Sequence, residues 1–417
     1  MLNGMIDGNQ AGASGIGGGG GLYVSDAASD EQRSLVHLGE SCHITGNQAS
    51  YFGGGLYVNQ GTTMLITEAT VISGNMGSSG GGIFSAQSSM QLEQGVMLTN
   101  NSAQDHGGAL GFIVTIAFLQ DLVLQNNQAG YNGAGIYNYA SYVVISDSIL
   151  TQHVAVGRGG AVFVTTRGQV QMNRCNVEGN MAKQGGAFAG DQQTNFALNN
   201  SVIKSNLAYG EGGAHAAVDS TLTALNTSFS TNRANLHGGG IALFSKAAVS
   251  LESCSLAENA APQGGGISVV ENPKLLHIRR SSFDHGQAEF GIGILMRWPS
   301  IMSETLFEGV QFNIDSGECI FWEFTNESAI AEYVPSCSQC TSSGDVPIFA
   351  TNGISSAVFM DDAYVTRTSS ASGQTIPAFT FKMLDYYNNT AFIPGVPIAT
   401  LAYTEVEGVV LDGGVIS

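Results

Sequence analysis

Apolar and polar positions alternate along this chain in short bursts, and the bursts return at a nearly fixed interval. A column of anchor positions, Asn47, Asn75, Asn101, Asn127, His153, Asn180, Asn206, Asn232, Asn259 and Gly286, is spaced 26 to 28 residues apart. Three residues before every anchor stands an apolar side chain, running from Ile44 through Leu150 to Phe283. Eight or nine residues after it comes a second apolar column, from Leu56 to Ile294, in which only His215 is polar. Period-two alternation broken by turn formers, with no window of helical period, predicts strands. Self-similarity at about 26 residues predicts a repeat array. The chain is therefore expected to be all-β, a right-handed parallel β-helix solenoid of about ten to eleven coils, three-sided, with equivalent residues stacked about 4.8 Å apart.

Glycine punctuates the pattern. The second column is introduced by "GGGL", "GGGI", "GGAL" or "GAGI", a corner where the chain must turn sharply beside its neighbours, which a residue without Cβ allows. The middle glycine of such a corner, for example Gly239, is expected to have positive φ. Asn47, Asn75, Asn101, Asn127, Asn180, Asn206, Asn232 and Asn259 are expected to mark another corner in left-handed conformation. Their amides would donate to one coil and accept from the next, as a structural ladder. His153 can continue that ladder, and His215 is expected to be partly exposed at a coil edge. Residues 1–310 form the repeat domain in this reading, 311–345 a cysteine-containing cap, and 346–417 an accessory, sandwich-like β segment. An acidic stretch at 25–33 leaves the first coil as a loop, and because the first line already reads as repeat, the chain is expected to be a piece of a longer one.

Composition narrows the partners. Of 417 residues 56 are glycine, and 14 Lys plus Arg stand against 33 Asp plus Glu, a net charge of −19. That balance repels phosphate backbones and anionic lipid, so nucleic acid is not an expected partner. No run of about 18 apolar residues is present for a membrane-spanning helix. Five Asn-x-Ser/Thr sites (Asn100, Asn199, Asn226, Asn326, Asn388) would accept glycans in a eukaryotic secretory route.

Cys42, Cys175 and Cys254 each lie five residues before an anchor, several coils apart, and are expected to be unpaired, buried side chains. Cys319, Cys337 and Cys340 cluster where the rhythm fades, and a disulfide from Cys319 to Cys337 or Cys340 would clamp the last coil. Three cysteines without a fourth ligand do not make a zinc site, so no metal and no cofactor is expected. For catalysis, the best acid pair is Glu40 with Glu68, in a column that continues as Gln94, Gln120, Ser146, Asn173 and Asn199 and so reads as a solvated polar face. Glu178 and Lys204 share a column as an exposed ion pair, and Asp361 with Asp362 falls outside the repeats. No arginine shares a column with an acid pair, so no catalytic residue is assigned.

The phrases "NQASYFGGGL", "NSAQDHGGAL" and "NRANLHGGGI", with "FSTN" and "FDHG" at the other element, resemble the polymorphic outer membrane protein repeat over roughly residues 1 to 300. In its chlamydial members the resemblance implies a right-handed β-helix passenger, exposed on the cell surface and acting in adhesion. Only Phe229 and Phe283 match the phenylalanine of that motif, and the C-terminus has no run of strands for a membrane barrel. The expected function is therefore a non-enzymatic extracellular or cell-surface rod for adhesion, matrix structure or ligand display, with protein or glycan partners. The alternative is a carbohydrate-active β-helix enzyme.

Overall fold

The computed structural model describes residues 4–11, 18–25, 34–39, 41–297, 304–314, 318–323, 337–342, 349–351, 356–359 and 381–384. Each coil lays down strands that pair in parallel with the same strands of the coils before and after it, giving sheets of 13, 9, 13 and 12 strands. The register is one repeat per step: Leu98 lies between Ile72 and Leu124 in the anchor sheet, and Ile83 between Leu56 and Leu110 in the glycine sheet. Strands such as Ile116–Gln120, with inward residues buried and outward ones exposed, form the long-strand sheet. The inward apolar columns of these three faces merge into one core running from Leu38 to Ile320. No described helix is long and apolar enough to cross a membrane.

Three faces were expected, and a fourth ladder is present. Between anchor and glycine corner the chain extends for two residues, as in Gln48–Ala49, and pairs from coil to coil to make the 9-stranded sheet. Its second residue is small and buried, as at Ala103, Ala129, Ala155 and Ala182, so this short edge packs close to the axis.

The asparagine column forms a continuous polar rail inside the protein. The Asn47 backbone N–H and Nδ2 both donate to Asn75 Oδ1 at 2.9 Å, and Asn75 Nδ2 also donates back to the Ile44 carbonyl at 2.8 Å. Asn206, Asn232 and Asn259 repeat the linkage at 2.9 to 3.1 Å. Every amide hydrogen and acceptor is thereby used, which is what allows a buried polar column. The left-handed residue is the one before the anchor, as at Asn126 (φ 56°) and Glu258 (φ 53°), and not the anchor itself. An anchor turned that way would aim its amide off the stack.

The glycine corner also differs from expectation. Gly238, the first of its corner, has φ 63°, whereas the middle residue Gly239 has an ordinary φ. A Cβ on Gly239 would instead fall 2.5 Å from the backbone of Ala260 on the next coil. Gly238 thus carries both constraints, since a Cβ there would also collide with the Ile241 carbonyl oxygen, while Gly239 is limited by close approach to the next coil alone.

Toward the C-terminus the coils continue past the boundary drawn at 310. Gln311–Asn313 pairs with Ser282–Asp284, and Phe349–Thr351 pairs with Ile320–Trp322. Cys319 is a free, fully buried thiol and so makes no disulfide; its side chain faces the core beside Ile320. Cys340 is disulfide-bonded, and the Cys337 side chain lies outside the described residues. Of the accessory segment at 346–417, the described part beyond the coils is an antiparallel pair, Ser356–Phe359 with Phe381–Leu384.

Candidate functional site

On the outer side of the glycine sheet, aromatic rings from successive coils form a shelf. Tyr137 and Phe163 are register partners, with ring centroids 6.0 Å apart and planes within 18°. Gly111, the partner of Tyr137 on the preceding coil, offers no side chain there, and His106 stacks on Tyr137 at 4.4 Å. Tyr131, 60% exposed, flanks His106 at 5.9 Å. Beyond Phe163 the column shrinks to Ala189 and Ala216.

Charged groups close over the end of the shelf. Arg158 stands in the turn just before Gly159, held by its own N–H donating to Asn132 Oδ1 at 2.8 Å. Its guanidinium lies 5.8 Å from the Phe163 centroid and donates from Nη1 to Asp191 Oδ2 at 2.8 Å. The partners are 33 residues apart in sequence, and Asp191 reaches the place because the strand Phe188–Gly190 ends just before it. Asp191 Oδ1 and His106 Nδ1 are buried without hydrogen-bond partners. Burial, with the nearby Asp191 charge, pushes the Tyr137 phenol up to about 12, and burial lowers the His106 imidazole despite the opposing effect of Asp105. The cluster therefore offers the exposed Tyr131 ring, the partly buried rings of His106 and Tyr137 and an exposed arginine edge, backed by the buried Phe163, with its phenol and imidazole neutral near pH 7.

A second feature lies where the short sheet ends at Arg233–Ala234. Two open depressions of about 560 and 600 Å³ adjoin there, sharing Arg233, Gln287 and Ala288, with Glu258 and His285 in one and Glu289 in the other.

The residues singled out from sequence fall elsewhere. Glu68 is exposed at a left-handed corner position, while Glu40, Asp361 and Asp362 lie outside the described residues. Lys204 and Glu178 form an ion pair at 3.2 Å. His153 lies in the rail, its Nδ1 accepting from the Asn127 N–H at 3.2 Å. His215, expected near the surface, is fully buried and meets the Phe196 ring edge-on at 4.9 Å, because the second column points inward in every coil. Cys42, Cys175 and Cys254 are buried thiols that form no disulfide. Among the described residues no group of three or more His, Cys, Asp or Glu is placed to hold a metal ion. The shelf is not legible in the repeat because Arg158 and Asp191 occupy different columns and lie 33 residues apart in sequence.

A family model described as a right-handed β-helix region matches residues 34–203 and 160–297. No curated protein matches the chain, and no solved structure does.

Proposed function

The chain belongs to the right-handed β-helix family, and on that footing we propose that it is a non-catalytic rod that binds a ligand along its outer faces. The shelf of Tyr131, His106 and Tyr137, backed by the buried Phe163, is the contact we assign to a glycan or a peptide side chain. One observation carries this reading. Where acid, phenol and guanidinium come together, the acid is held by Arg158 at 2.8 Å and the phenol is pushed up to about 12. Groups so tied stack and hydrogen-bond well, but exchange protons poorly near neutral pH. An extracellular or cell-surface setting and a role in adhesion or matrix structure rest on the repeat's resemblance to the polymorphic outer membrane proteins.

A second reading, a carbohydrate-active enzyme, draws on the buried, unpartnered Asp191 Oδ1 near the Tyr137 phenol. The two separate in one experiment. The chain and its Asp191→Asn and Tyr131→Ala variants are tested on a panel of acidic and neutral polysaccharides for both binding and bond cleavage. The binding rod predicts retention without turnover, weakened about tenfold or more in the variants, equivalent to about 1.4 kcal/mol. Cleavage that Asp191→Asn abolishes would replace it with the enzyme.

A further inference from the structure

The long-strand sheet carries an outer face whose strands hold no charged side chain. Seven consecutive strands, from Thr63–Ile66 to Ser220–Leu225, contribute to it. The first two present two outward residues each and the next five present three each, all of them apolar, hydroxyl or amide. Six strand steps make it about 29 Å long.

Its composition is graded. At the centre Ile116 and Phe118, 49% and 50% exposed, pair in register with Tyr142 and Val144. Around them lie amides such as Gln91 and Gln171, the latter on a strand paired with that of Val144. Charges stand at the edges of the face, with Asp147 paired to Arg174 at 2.7 Å on one side, Arg167 and Asp219 on the other, and Glu93 just past the end of the second strand, its carboxylate accepting from Gln91 Nε2 at 3.0 Å. An apolar centre, an uncharged polar surround and a charged rim is the anatomy of a protein interface.

We propose that this face is where a second copy of the chain docks, face to face. The argument is electrostatic and chemical. In a chain of net charge −19, an oppositely charged partner would be drawn to the acidic surfaces and would find nothing to pair with here. Two copies of an acidic rod repel least through a face whose strands carry no charge. Glutamine and asparagine amides are donor and acceptor at once, so the face is complementary to itself, as a two-fold interface requires. Nineteen outward residues a side approach the roughly 20 to 30 of a standard interface. The inference does not depend on what the aromatic shelf binds.

Sedimentation velocity over a concentration series, at low and high salt, tests it on the full chain. A dimer is expected that high salt does not dissociate, weakened tenfold or more by Phe118→Lys. Gln171→Lys, which leaves the apolar centre intact, is expected to weaken it as well. Circular dichroism and melting temperature should be unchanged in both, because both positions face outward. A chain that stays monomeric throughout, or a dimer that neither variant weakens, overturns the proposal. So does a monomeric chain that pellets with crystalline cellulose or chitin and is released by Phe118→Lys, since the face would then read a flat glycan surface.

Discussion

A histidine in an asparagine column exchanges an amide that donates both ways for a ring with one acceptor in use. His153 takes the Asn127 N–H on Nδ1, its own N–H donates to Asn180 Oδ1 at 3.0 Å, and its Nε2 is buried without a partner. Burial pushes its imidazole down to about 3, and burial does the same to His215. The unfolded chain therefore takes up protons below about pH 6.5 that the folded chain refuses. Stability carried by each group is whole above that pH and falls as pH drops toward 3, at about 1.4 kcal/mol per unit. His153→Asn should lessen this acid sensitivity, with a gain over the parent at pH 4.5 larger by about 3 kcal/mol than at pH 7. Urea unfolding midpoints at the two pH values check it, and an equal difference at both would show that the ring is not held neutral. The place of His153 was legible because it lies on the period. The burial of His215 was not, since a polar residue in an apolar column suggests an edge until its neighbours Phe188 and Phe196 are known.

At the scale of a corner, the sequence called for glycine without saying which glycine does what. The first position, from Gly53 to Gly291, is glycine in every coil with positive φ. The middle position accepts Ala134 in one coil and Ile292 in another. The structure gives the reason: the first position needs left-handed backbone, and the second needs room, which can be made by small shifts where neighbours such as Ala129 and Ala155 are small. Gly238→Ala is accordingly expected to cost at least about 1 kcal/mol and more than Gly239→Ala. The reverse order in chemical denaturation would mean that contact between coils, and not φ, governs the corner. The asparagine rail was legible for a related reason. One amide at a constant interval has few roles in a buried column other than bonding to its own kind.

For the molecule as a whole, the period located the rod but lost its end. Up to Ile320 most coil steps are 26 or 27 residues, but Ser282 pairs with Gln311 and Gln311 with Thr341, steps of 29 and 30. A few added residues between strands leave the pairing intact while defeating any alignment of fixed length. Lateral sites such as the shelf escape for a different reason, since their members share neither column nor coil. A chain ended after Val310 would lose the buried Phe312, Ile314 and Ile320 and uncover Phe283, whose ring stacks on Phe312 at 5.1 Å. It should be less stable than one ended after Thr351 by on the order of 5 kcal/mol. Equal melting temperatures would place the last stabilising coil before residue 310.

The rail also has a direction, because each amide donates toward the coil that follows and accepts from the coil that precedes. Hydrogen bonds in such a series polarise one another and tie distant coils into one cooperative unit. At His153 that relay of side chains is cut, for its ring passes no proton donor on to Asn180. The protein is thus two amide stacks joined by a single ring, Asn9 to Asn127 and Asn180 to Asn259. Across that ring the halves are joined by backbone hydrogen bonds of the rail and by the sheets alone, and the side-chain relay does not pass from one to the other.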